Sequence, residues 1–173
     1  ELMGQKVEPK SLDKLQKIVS KTKIPFIIKG VMTVYDAKKA LDCGARAIVV
    51  SNHGGRISEN HPSSISVLKK IVKEVKGKIK IIFDGGVRSG EDIFKAIAIG
   101  ADLVMIGRPF SVAVVGGGKE GVKTLVENYK KELIKIMLLT GAKNISSINE
   151  DMVILPPYFN ELEESQIRNN III

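Results

Sequence analysis

The sequence predicts a parallel α/β fold of four consecutive strand–helix units, and three observations carry that prediction: an internal repeat, short continuous apolar runs alternating with amphipathic segments, and polar residues gathered after each apolar run. The repeat lays Lys29–Ala37 on Gly85–Ile93 without a gap and then keeps register: Gly30 falls on Gly86, Val31 on Val87, Asp36 on Asp92, Lys39 on Lys95, Ala40 on Ala96, Gly44 on Gly100 and Ala45 on Ala101. Each copy reads as strand, glycine turn, helix, strand.

Taken in order, the elements are a helix over Ser11–Lys21, a strand over Ile24–Ile28, and a helix with Asp36 in its first turns that ends before Gly44. A strand at Ala47–Val50, a helix at Pro62–Lys76 and a strand at Ile79–Phe83 follow. The second copy then supplies a helix with Asp92 near its start and Gly100 past its end, a strand at Leu103–Ile106, and a last helix over Val122–Leu139. The strands are expected to be buried on both faces, because their apolar runs are continuous rather than alternating. A carboxylate suits the positive start of a helix, and a glycine just beyond the last turn suits its end. Gly116-Gly-Gly-Lys119 lacks the Gly-x4-Gly-Lys-Ser/Thr spacing of a nucleotide loop, and is expected to be the entry to the last helix.

At 173 residues and 44% hydrophobic, the chain has material for one core, expected over residues 1–150, with 151–173 as a tail. Pro156-Pro157 should keep that tail extended, and its Ile171-Ile-Ile173 end has no assigned role. The 27 Lys+Arg against 19 Asp+Glu leave a formal charge of +8. Much of that excess (Lys69, Lys70, Lys73, Lys76, Lys78 and Lys80) is expected on helical faces, which argues against a nucleic-acid groove. Cys43 is the only cysteine, so there is no intrachain disulfide and no thiolate metal cage, and it is expected to be half-buried at a helix end. No apolar stretch approaches the roughly 20 residues that span a bilayer, and the chain opens on Glu1 without a charged-then-apolar leader. A cytoplasmic setting is therefore expected, along with sequence upstream of Glu1.

A closed barrel is preferred to an open flavodoxin-like sheet because polar residues follow all four strands, the end at which barrel enzymes build their sites. Lys29 follows the first strand, Ser51-Asn-His53-Gly-Gly-Arg56 the second, Asp84-Gly-Gly-Val-Arg88-Ser-Gly90 the third and Gly107-Arg108-Pro-Phe110 the fourth. In the last two loops glycines allow close backbone approach, helix starts present N–H groups to an anion, and Arg88 and Arg108 can each fork onto phosphate oxygens. Phosphate binds after strands 7 and 8 of this architecture, so the four strands are expected to be strands 5–8, the C-terminal half of a (β/α)8 barrel.

His53 follows an apolar strand and lies three residues before Arg56. An imidazole titrating near neutrality beside a guanidinium that can hold a carboxylate is the pairing that proton abstraction from a hydroxy acid requires. Lys29 ends an apolar run, and its ammonium needs an anionic partner, such as the N1/O2 edge of a reduced flavin, although a Schiff-base role is also open.

Together these four loops resemble the family of FMN-dependent α-hydroxy acid dehydrogenases and oxidases, which includes glycolate oxidase, lactate oxidase and flavocytochrome b2. The resemblance covers roughly residues 10–150, and Ser51-Asn-His-Gly-Gly-Arg56 with Asp84-Gly-Gly-Val-Arg88 is its most specific part. It implies an FMN cofactor and oxidation of a small L-2-hydroxy acid to the 2-oxo acid. Lys29 and Ser51 would contact the isoalloxazine, His53 would be the base, and Arg56 would hold the substrate carboxylate. Asp84, Gly85, Gly86, Val87, Arg88, Gly107 and Arg108 would bind the ribityl and phosphate groups. It also implies an N-terminal half with substrate-contacting tyrosines and a carboxylate that orients the base, none of which this sequence carries. The apolar lining and two strand edges should therefore be exposed, favouring self-association or pairing with a chain that supplies the other half. The competing reading is a non-catalytic flavin- or phosphate-binding half-barrel.

Overall fold

The computed structural model describes residues 10–56 and 60–156, and its four strands form one parallel sheet in the order β1-β2-β3-β4. The elements are α1 (Leu12–Ser20), β1 (Ile27–Val31), α2 (Val34–Asp42), β2 (Ala47–Val50), α3 (Ser64–Val75), β3 (Lys80–Phe83), α4 (Gly90–Ile99), β4 (Leu103–Val104) and α5 (Arg108–Thr140). Single 3-10 turns lie at His53–Gly55, Ile145–Ser147 and Glu150–Met152.

The internal repeat is a repeat of caps and turns as well as of sequence. Thr33 and Ser89 occupy matching N-caps, and their hydroxyls accept hydrogen bonds from the Asp36 and Asp92 amides at 3.0 and 3.1 Å. Gly44 and Gly100 close the two helices with φ of 86° and 126°, a region open to glycine.

Strand pleating sorts the sheet residues into two faces. Ile28, Ile48 and Ile81 stand in register and, with Val31, Val50 and Phe83, join Ala37, Ala40, Val67, Leu68, Ile71, Val75, Ala96 and Ile99 in one buried core. Helices α2, α3 and α4 thus cover the same face, each buried aliphatic contributing about 1.5–3 kcal/mol. The other face carries Ile27, Lys29, Val49, Ile82 and Leu103. Burial on both faces holds only for β2; Ile27 is 47% and Leu103 52% exposed, because the described helices all lie opposite.

Next to α4 packs α5. Gly90 sits where a Cβ would strike Tyr129 and Leu133, and its amide donates to Glu132 Oε2 at 2.7 Å. A smaller core of Phe94, Ala98, Ala142 and Ile148 seals this crossing, with Met152 and Val153 packed against it. Leu155 reaches the main core, and the Lys69–Glu150 ion pair of 2.6 Å ties the returning segment to α3. The remainder of the tail, with Pro157 and Gln166–Ile173, lies outside the described residues.

Several boundaries differ from expectation. β1 begins at Ile27 rather than Ile24, since Pro25 has no N–H to pair and disfavours regular structure before it. It continues past a register shift at Gly30 to Val31, so Lys29 lies within the strand rather than after it. β4 is reduced to two residues, although the Asp102 and Met105 amides still donate to Ile81 and Phe83 carbonyls at 2.7 and 2.8 Å. The last helix starts at Arg108, with Pro109 in its first turn, and breaks at Gly118 (φ 52°, ψ −136°). Only Lys69, Lys70 and Lys73 of the lysine series lie on a helix; Lys80 begins β3 and pairs with Asp102 at 3.0 Å. Cys43 is buried rather than half-buried, its thiol donating to the Ala40 carbonyl.

Candidate active site

Parallel strands with short connections bring four loops to one end of the sheet. There a cavity of about 220 Å³ is lined by Lys29 from β1, by His53, Gly54 and Arg56 after β2, and by Asp84 through Arg88 after β3. Met105, Ile106, Gly107, Arg108, Pro109 and Ser111 close it from the β4 side. Every expected site residue except Ser51 therefore faces one space.

Ser51 lies beneath the cavity, fully buried, and connects its parts. Its hydroxyl oxygen accepts from Lys29 Nζ at 2.8 Å and from the His53 amide at 3.2 Å. Lys29 Nζ also pairs with Asp84 Oδ2 at 3.0 Å, with the lysine side chain 39% and the aspartate 18% exposed. That carboxylate relieves the cost of placing an ammonium at the strand end, and links the β1 and β3 loops.

His53 is the one non-glycine residue with positive φ (55°) among those described. Gly30 lies against its imidazole: a Cβ at that position would stand 2.7 Å from Cε1. Burial and then the Lys29 ammonium hold the His53 pKa below its ordinary value; Asp84 opposes the shift, while Arg56 and His61 add to it. The imidazole is thereby kept neutral and able to take up a proton near neutral pH. Arg56 Nε donates to the His53 carbonyl at 3.1 Å, leaving the rest of an exposed guanidinium toward the cavity mouth.

Opposite His53, the loops after β3 and β4 form a cradle. Gly85 (φ 111°) must be glycine because a Cβ would collide with the Ser64 hydroxyl, which donates to the Asp84 carbonyl at 2.6 Å. At Gly86 and Gly107 a Cβ would meet open space, so the backbone faces outward where a ligand can approach. The Arg88 amide is tied to Asp92 Oδ2 at 2.9 Å, which fixes the start of α4. Arg108 reaches across to the β2 loop, where a Gly54 Cβ would lie 3.4 Å from its guanidinium. Open glycine backbone, the start of α5 and two guanidiniums fit a phosphate group, whereas the Arg88, Gly90 and Asp92 amides at the start of α4 are already paired within the chain.

Sequence reasoning assigned nothing to Asn52 or Ser64. An Asn two residues before a glycine is a readable turn signal, but the reach of Ser64 to Asp84, twenty residues on, has no local signature. A larger cavity of about 520 Å³ lies behind the glycine loops, lined by Asn52, Ser64, Phe83, Lys95, Ile99 and Leu155 among others. It shares Gly54, Gly85, Gly86, Val87 and Arg108 with the first, but neither Lys29 nor His53 opens into it.

A family profile described as FMN-dependent dehydrogenase matches residues 1–155. The chain belongs to that family. It is 46% identical over 139 residues to a 2-hydroxyacid oxidase of Dictyostelium discoideum, covering 80% of this chain and 36% of that protein. It is likewise 46% identical over 136 residues to an L-lactate oxidase of Lentilactobacillus hilgardii, covering 79% and 37%. The crystal structure of mandelate oxidase superposes with a TM-score of 0.78 at 37% identity, over 82% of this chain and 41% of that one. The chain thus spans little more than a third of the length of these curated relatives of the FMN-dependent dehydrogenase family. Among the described residues no helix is long and apolar enough to cross a membrane.

Proposed function

We propose that this chain carries the flavin-phosphate cradle and the catalytic base of an FMN-dependent enzyme that oxidises a small L-2-hydroxy acid to the 2-oxo acid. The observation that supports it most is the single cavity shared by Lys29, His53, Arg56, Arg88 and Arg108 at the C-terminal ends of four parallel strands. Family membership and relatives named for 2-hydroxyacid and lactate oxidation point to the same chemistry. Two plant relatives are named peroxisomal.

We further read the four strands as strands 5–8 of a (β/α)8 barrel, with residues 1–150 as the half-barrel. Sequential strand order with all the sheet-covering helices on one face suits a closing barrel better than a doubly wound sheet, which carries helices on both. The bare face of Ile27, Leu103 and Met105 would line the barrel, and the outer edges of β1 and β4 would pair with strands from sequence upstream or from another chain.

In this reading Gly86, Gly107, Arg88 and Arg108 would hold the FMN phosphate and Lys29 would face the isoalloxazine. Ser51, buried beneath the cavity, acts through its hydrogen bond to Lys29 rather than on the flavin directly. FMN, when bound, supplies a two-electron acceptor. Arg56 orients the substrate by its carboxylate, and His53, held neutral, takes up the proton released as the carbinol becomes a carbonyl. Lys29 contributes fixed positive charge where electron density accumulates.

The experiment is anaerobic mixing of the FMN-loaded full-length protein with a panel of L-2-hydroxy acids. Loss of the oxidised-flavin absorbance band, abolished in His53→Ala, is expected. The bare apolar face of this chain favours, as a second reading, a half-barrel that binds FMN without turnover; flavin uptake with no bleaching by any hydroxy acid would establish it instead.

A further inference from the structure

We propose that Asn52 is a positioning residue for His53, holding the left-handed turn that carries the imidazole by hydrogen bonds to Gly54 and Pro62. The inference rests on the reading of His53 as the base. His53, Gly54 and Gly55 are consecutive left-handed residues, with φ of 55°, 70° and 74°. For a histidine that conformation costs about 1–2 kcal/mol and persists only where the surroundings enforce it.

Three side chains hold it here, and Arg56 does so from the exposed side through the His53 carbonyl. The Ser51 hydroxyl accepts from the His53 amide and anchors the turn to Lys29. The Asn52 carboxamide uses both of its ends. Its Oδ1 accepts from the Gly54 amide at 3.1 Å, and its Nδ2 donates to the Pro62 carbonyl at 3.3 Å. The first bond shapes the turn; the second fastens it to the entry of α3. Oδ1 also lies 3.4 Å from where a Gly85 Cβ would stand, so the carboxamide fits between the histidine turn and the cradle loop.

Asn52 lines the larger cavity behind the loops, and not the one that holds Lys29 and His53. It is absent from the lining around Lys29 and His53, and its hydrogen bonds run to Gly54 and Pro62, so it acts on the chemistry through the backbone of the His53 turn. An aspartate at this position would keep the acceptor for Gly54 and lose the donor to Pro62; an alanine would lose both.

The test measures anaerobic flavin reduction by substrate, FMN affinity and thermal stability in the FMN-loaded full-length protein. Asn52→Ala is expected to slow flavin reduction about tenfold, equivalent to about 1.4 kcal/mol of barrier, with FMN affinity unchanged. Asn52→Asp should recover most of that loss, and it keeps the test available where the alanine variant folds poorly. An FMN affinity that falls with the rate, a rate in Asn52→Asp no better than in Asn52→Ala, or an unchanged rate in Asn52→Ala would each overturn the inference. If His53→Ala itself reduces flavin as fast as the parent, the assignment of the base fails instead, which is a separate result.

Discussion

Gly30→Ala probes the placement of the imidazole from the strand side. Gly30 has φ of 94° at the register shift of β1, and an added methyl would lie 2.7 Å from His53 Cε1 and 3.5 Å from Nε2. Ordinary contact requires the ring to retreat by several tenths of an ångström. The left-handed backbone and the overpacking together should destabilise the protein by about 2–4 kcal/mol. A displacement of that order at a reacting group slows chemistry by about a hundredfold. Gly44→Ala is the control, because Gly44 has a similar φ of 86° but its Cβ would meet only Val19 at 3.7 Å. Stopped-flow flavin reduction of both variants, alongside thermal melts, separates the contact from the backbone cost. Gly30→Ala should lose stability and rate, whereas Gly44→Ala should lose stability alone. Equal flavin-reduction rates in the two variants would refute the claim that Gly30 makes room for the base.

Arg88→Ala and Arg108→Ala should each weaken FMN binding by about 10–100-fold, the worth of a hydrogen bond to a charged group, while flavin reduction at saturating FMN changes little; titration by flavin fluorescence checks this. The pH dependence of flavin reduction should follow the charges around His53. Lys29 disfavours the imidazolium and Asp84 favours it, so Lys29→Met should move the acid limb to higher pH and Asp84→Asn to lower pH. Shifts in the opposite order would dissociate that limb from His53.

Much of this architecture is legible because the informative residues act locally. Thr33 and Ser89 cap their helices through the residue three positions on, and Gly44 and Gly100 end them, so the strand–helix repeat could be read from spacing alone. The convergence of Lys29, His53, Arg88 and Arg108 was legible because parallel strands joined by short connections must present their C-terminal ends together. Elements governed by pairing or by distant contacts were not. The apolar run Ile24–Ile28 gives no hint that the strand passes through Gly30 by a register shift, which depends on how β2 pairs with it. Glycines at 116–118 mark the expected entry to a helix over Val122–Leu139, yet Gly107-Arg-Pro starts that helix in the usual way. Ser64, which braces the Asp84 carbonyl, and Asn52, which spans from Gly54 to Pro62, hold loops together across the fold. The Asn52–Gly54 bond is local, but the reach to Pro62 and that of Ser64 to Asp84 follow from tertiary placement, and neither residue is of a type that marks a site.

The central claim is that a single flavin nucleotide joins the cradle of Arg88 and Arg108 to the base at His53. A crystal structure of the FMN-bound full-length protein tests it most directly. The phosphate should lie between the loops of Gly86-Arg88 and Gly107-Arg108, with the ring system extending toward Lys29 and His53. A phosphate seated elsewhere, or a ring system turned away from His53, would contradict it.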